Sequence, residues 1–156
     1  MSLLQKMIGA GLRPRVRGRA KGKSLQDVIV DLERARDALT PRIMAAKDTA
    51  GNREALNHFV GIERWSLSRV RVVLGAPFQL DSYRGYRLPD DATLAQLQQA
   101  FADVRTESIA LAHELSAAAA DLTRTVRHND LGELTAVEWF VYIVDHSSRE
   151  IIRIRT

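Results

Sequence analysis

Residues 93–122 read TLAQLQQAFADVRTESIALAHELSAAAADL, and their spacing decides the fold class. Leu94, Leu97, Phe101, Val104, Ser108, Leu111, Leu115, Ala118 and Leu122 follow in unbroken steps of three and four, the seam of a long helix packed lengthwise against others. Such a seam stays wet unless partners of similar length cover it, so equally long helices are expected in the flanking sequence. Upstream, Ser24 with Asp27 forms an N-terminal cap ahead of Leu25, Val28, Ile29, Leu32, Ala35 and Leu39, which share one helical face. Thr40-Pro41 is expected to end that helix and open a short piece through Lys47. Residues 52–74 are again helical in pattern, closed by Gly75. Downstream, Thr135 with Glu138 is a capping box for a last helix running to about Arg153.

Between these helices lie a connection at residues 76–92, with Pro77, Gly85 and Pro89, and a loop from Thr125 to Leu134. No stretch reads as a strand. The expectation is an all-α, four-helix bundle with a long connection between its second and third helices.

A chain of 156 residues holds one domain, and 46% hydrophobic with 27% charged residues suits an ordinary globular protein. There is no cysteine, which excludes disulfides, thiolate metal sites and a cysteine nucleophile. No apolar run approaches the 18 residues or so of a membrane span. The formal charge of +4 is uneven: residues 1–23 carry Lys6, Arg13, Arg15, Arg17, Arg19, Lys21 and Lys23 and no acid, which leaves the rest at −3. With Gly9, Gly11, Pro14, Gly18 and Gly22 among them, these residues read as a basic flexible N-terminal arm, outside the domain at 24–156. No aromatic residue interleaves the cations and no reader motif follows, so the arm suits solvent, a partner subunit or an acidic partner better than nucleic acid. Its charges do not precede an apolar run as in a secretory signal, and a cytoplasmic setting is expected.

Four histidines are the first candidates for chemistry in a chain without cysteine. On helical wheels, His58 and His146 each fall at the edge of an apolar stripe. Glu150, one turn after His146, points partly toward apolar surroundings, and side chains four apart stand about 5–6 Å from each other. His146 and Glu150 can therefore converge on one ion if His58 faces them from the other helix, and a bound ion brings a water's pKa down to about 7. Histidines that only hydrogen-bond at the rim of the core satisfy the same spacing. Trp65, Arg69, Trp139 and Tyr142 are candidates for the lining of such a site, with Arg69 available to an anionic group. His128, in the loop before the last helix, is expected to cap backbone groups and to lie near the mouth of a pocket. His113 is expected in solvent. Glu63 falls in the middle of an apolar face beside Phe59 and Val70, and needs a buried partner, an arginine or the loop at 128–129. No serine lies in a nucleophile elbow, and the glycines fit neither a P-loop nor a dinucleotide fingerprint.

Leu56-Asn57-His58-Phe59-Val60-Gly61-Ile62-Glu63-Arg64-Trp65 resembles the first histidine helix of the DinB/YfiT-like family. His128-Asn129-Asp130-Leu131-Gly132, continuing through Thr135 and Trp139 to His146, is similar to that family's loop and last helix. The resemblance spans about residues 24–155. It implies a four-helix bundle carrying a divalent metal, zinc or nickel, held by one histidine of the second helix and two of the last, four residues apart. Carried over by position these are His58, His146 and Glu150, the last a glutamate where the family's second histidine is expected. The resemblance further implies a homodimer, a small-molecule substrate, and either hydrolysis or transfer that depends on a thiol cofactor. The reacting group would be a water on the metal or a thiolate. The DNA-damage induction in the family's name concerns expression and implies no DNA binding.

Overall fold

The computed structural model describes the backbone of residues 3–156 and the side chains of residues 11–156. The chain is mostly helical: α1 (Leu3–Ala20), α2 (Leu25–Met44), α3 (Ala50–Arg71), α4 (Leu94–Ala117) and α5 (Ala136–Glu150). Short 3-10 turns continue α3 (Val72–Leu74) and α5 (Ile151–Arg153), and a third lies at Tyr83–Tyr86.

The starts of the helices follow from their caps. Ser24, Thr93 and Thr135 each accept from the backbone N–H three residues on, while Asp27, Gln96 and Glu138 reach back to the cap's own N–H. Gly75, at φ 100°, ends the turn after α3 in the left-handed conformation that glycine adopts without a Cβ penalty. Pro41 does not end its helix, and α2 continues to Met44. Thr40 does not cap a new helix, because its hydroxyl donates to the Arg36 carbonyl 2.7 Å away inside the existing one.

Both α4 and α5 pack against α2 and against α3. The seam of α4 is buried from Leu94 to Leu115, and the helix ends before reaching Leu122. Two apolar clusters result. Trp65, Trp139, Phe140 and Leu111 anchor the larger; Phe59, Phe101, Leu97 and Ile43 anchor the other.

The expectation of no strand is corrected by a hairpin, β1 (Thr125–His128) with β2 (Gly132–Thr135), antiparallel with Val126 opposite Leu134. Val126 and Leu134 are buried, and the Trp139 indole donates to the Val126 carbonyl at 3.2 Å. Four-residue strands leave too little alternation to register against the turn residues around them.

The basic arm is also corrected. Residues 3–20 are helical, and α1 packs on α5, burying Val16 and Ala20 in the larger cluster. The charge that suggested a solvated tail is what docks it. Arg15 Nε lies 2.9 Å from Asp145 Oδ1, Arg19 pairs with the same carboxylate, and Arg17 approaches Glu138 at 3.5 Å. Lys6 lies outside the residues whose side chains are described.

Residues 76–92 lie along α3. A Cβ on Gly61 would stand 2.7 Å from Arg87 Cγ and 3.1 Å from the Tyr83 carbonyl oxygen, so the connection's close approach needs glycine there. Asp81 ties it down by accepting from Trp65 Nε1 (3.1 Å), Arg69 Nη2 (2.8 Å) and the Tyr86 hydroxyl (2.7 Å). Among the described residues, no helix is long and apolar enough to cross a membrane.

Candidate functional site

His58 on α3 and His146 on α5 meet across the helix pair, their Nε2 atoms 3.2 Å apart. Each ring sits at the edge of its helix's apolar face, so the packing that buries Phe59 and Ile143 also turns the two imidazole edges toward each other. Tyr83, carried by the connection over α3, stands edge-on to His58 at 4.9 Å between ring centres. The Tyr142 and Phe59 rings lie 5.8 and 6.4 Å from His146.

Burial pushes His146 down to about 3, and the neighbouring His58 acts in the same direction. Burial likewise lowers His58, against an opposing pull from the Glu150 carboxylate. Both rings are therefore neutral near pH 7, and each keeps one ring nitrogen with a lone pair. Burial raises the Tyr142 phenol, which stays protonated beside them as a donor.

The donor pair fits a divalent ion. Two zinc–nitrogen bonds of about 2.0–2.1 Å at a tetrahedral angle place their nitrogens roughly 3.3–3.4 Å apart, close to the separation found. The third expected ligand is turned elsewhere: Glu150 Oε2 accepts from Arg153 Nη1 at 2.8 Å. Burial raises the Glu150 carboxyl, but the Arg153 hydrogen bond and the nearby His146 outweigh it and hold the group below the usual carboxylate range. Among the described residues, no three His, Asp or Glu side chains converge on one point.

His128 ends β1 and does not lie in a loop, but it caps backbone groups as expected. Its Nδ1 accepts from the backbone N–H groups of Asp130 (3.1 Å) and Leu131 (3.2 Å), fixing the turn of the hairpin. Burial, with Arg69 adding to it, pushes this ring to about 3 as well. Because Nδ1 accepts, the neutral ring carries its proton on Nε2, which meets no polar partner and lies within a cage of Trp65, Trp139 and Tyr142. Tyr142 touches the rings of both His128 and His146, and it is the lining candidate that adjoins the pair.

The other three lining candidates are placed differently. Arg69, 1% exposed, is bound to the Gln79 carbonyl and to Asp81, and it stacks on Trp65 and Phe78, so it is not free for a substrate anion. Trp65 and Trp139 are buried with their indole N–H groups occupied. All three hold the connection and the hairpin in place. His113 is exposed.

Two side chains beside the pair were not singled out in the sequence. Tyr83 lies in an aperiodic connection where nothing marks which residue will face α3. Arg153 stands three residues after Glu150, a helical spacing that was legible as an ion pair.

Comparison with family models, curated proteins and solved structures finds no match for this chain.

Proposed function

We propose that this chain is a metal-dependent enzyme of the DinB/YfiT-like type, in which α2–α5 form the four-helix bundle and His58, His146 and Glu150 hold a divalent ion, zinc or nickel. One observation carries the reading: two neutral imidazoles from separate helices present Nε2 atoms at 3.2 Å, a ligand-pair separation, at a partly exposed edge of the core. When bound, the ion supplies Lewis-acid polarisation of a substrate oxygen or activates a thiol cofactor. The chain's own residues do the rest. Tyr83 orients His58 through an edge contact, the protonated Tyr142 phenol is a hydrogen-bond donor beside His146, and the buried aromatic cage behind them excludes water. The substrate class is a small molecule, with hydrolysis or thiol-dependent transfer as the reaction.

The test is metal analysis of protein prepared without chelator or affinity tag, repeated on His58→Ala. Close to one equivalent of zinc or nickel in the parent, lost from the variant, is the expected result. Metal that persists in the variant would refute the ligand assignment.

A second reading is a metal-free binding or structural protein. The Arg153 contact to Glu150 favours it, together with a histidine pair that satisfies itself by a hydrogen bond. Absence of metal in the parent selects it. The version in which the basic segment grips an acidic partner draws less support, because Arg15, Arg17, Arg19 and Lys23 face carboxylates of this chain. Homodimerisation belongs to the family resemblance, and sedimentation checks it; a cytoplasmic setting rests on the N-terminal charge pattern alone.

A further inference from the structure

The carboxylate that would complete the histidine set is held by an arginine less than one turn along the chain. Glu150 is the last residue of α5 and Arg153 closes the 3-10 turn that follows, which brings Nη1 within 2.8 Å of Oε2. Glu150 follows His146 by four residues on α5, a spacing at which two side chains stand about 5–6 Å apart, so the carboxylate has the histidine on one side and Arg153 on the other. Release leaves Arg153 well placed, since a cation at a helix C-terminus is stabilised by the carbonyls and dipole there. The contact is also weak enough to yield. Half of the Arg153 side chain and a quarter of that of Glu150 are exposed, and ion pairs of that kind contribute little in water. The Glu150 carboxylate raises the His58 pKa and the Arg153 guanidinium lowers it, so the pair feels both charges.

We infer that Arg153 is a positioning residue that competes with the metal for Glu150, so that the third ligand of this site is displaceable and its metal affinity is set by a contact between two neighbouring side chains. The inference rests on the metal reading above. In a site with histidine at this position such a contact would be weaker, because an imidazole neutral at pH 7 offers arginine a lone pair and no charge.

The experiment is zinc titration of the full chain against a chromogenic chelator for the parent, Arg153→Gln, Glu150→Gln and the double variant, with circular dichroism to verify folding. Arg153→Gln is expected to tighten zinc by about two- to fivefold, in keeping with the small worth of an exposed pair. Glu150→Gln weakens zinc, and in that background the arginine change has no further effect. Equal tightening in both backgrounds would mean only that a positive charge has been removed, and would overturn the inference, as would no change in Arg153→Gln. His58→Ala in the same titration keeps the two ideas apart: zinc bound through His58 but indifferent to Arg153 sinks this inference alone. No zinc uptake by any variant sinks the metal reading and this inference together.

Discussion

Glu63 has both carboxylate oxygens occupied inside the core: Oε1 accepts from Arg105 Nε (2.8 Å) and Ser108 Oγ (2.6 Å), Oε2 from Arg105 Nη2 (2.9 Å). Arg105 is fully buried and also donates to Ser147, the residue after His146, so this cluster braces the backbone of α5 beside the site. Removing one partner strands the other as a buried charge. Arg105→Met is expected to cost about 3–5 kcal/mol in denaturant unfolding, and adding Glu63→Leu should recover much of that loss. If the double variant is no better than the single one, the charges are not the source of the loss. The need for a partner was legible because a carboxylate in an apolar stripe is a local contradiction. Arg105 was not, since it lies 42 positions away on another helix, beside the seam and not in it.

His128 gives the second prediction at this scale. Its pKa falls from the ordinary 6.5 to about 3 in the fold because of burial, so the unfolded chain binds more protons between those values. By linkage, that contribution is intact above about pH 6.5 and is lost as pH drops toward 3. His128→Asn can keep an acceptor for the turn's N–H groups but cannot protonate in this range. It is expected to be less stable at pH 7 yet to show a shallower loss between pH 6.5 and 4 in urea melts. Parallel curves would show that His128 does not titrate on unfolding.

Among the elements, the connection at 76–92 depends on one missing Cβ. Gly61→Ala places a carbon against the Arg87 side chain, which can shift, and against the Tyr83 carbonyl, which moves only with the backbone. A cost of about 1–3 kcal/mol is expected, as for other overpacked contacts. Faster amide exchange should be confined to residues 81–88, while α4 keeps its protection. Uniform exchange throughout would mean that the connection does not lift separately. The sequence marked this stretch as a long crossing but could not say what it crosses, because its contacts are single side chains without period. The helices were legible for the opposite reason: their caps and faces repeat. Their ends were legible where glycine or a cap fixed them, and missed at Pro41, where the chain carries on through one lost hydrogen bond.

Over the whole molecule, reading α1 as an arm also hid the partner of a carboxylate. On the wheel of α5, Asp145 falls opposite the apolar side with Glu138 and Arg149, a face that has no cover while residues 1–23 are read as flexible. Once α1 lies on α5, that carboxylate is 1% exposed and bound by Arg15, Arg19 and Arg149. Glycine and proline content argues for freedom only when nothing offers the segment a charge to meet, and here α5 offers two. The docked helix covers the residue next to His146, so its hold bears on the site as well as on the fold. Limited trypsin digestion measures that hold directly, since Arg15, Arg17 and Arg19 all lie on the docked part of α1. Asp145→Ala removes the shared partner of two of them, and half-exposed pairs contribute up to about 1 kcal/mol each. Cleavage in this segment should therefore quicken by about five- to thirtyfold, provided local opening is fast relative to cutting. Raising the salt should speed the parent toward the variant, because the arginines are reached by solvent while the carboxylate is not. A fragment from residue 24 onward that outlasts the cut would make α1 an element docked on a self-standing core. Its loss in step with α1 would show that Val16 and Ala20 hold the larger cluster together. Identical cleavage of parent and variant would mean that apolar contact alone seats the helix and that Asp145 is buried to no mechanical purpose.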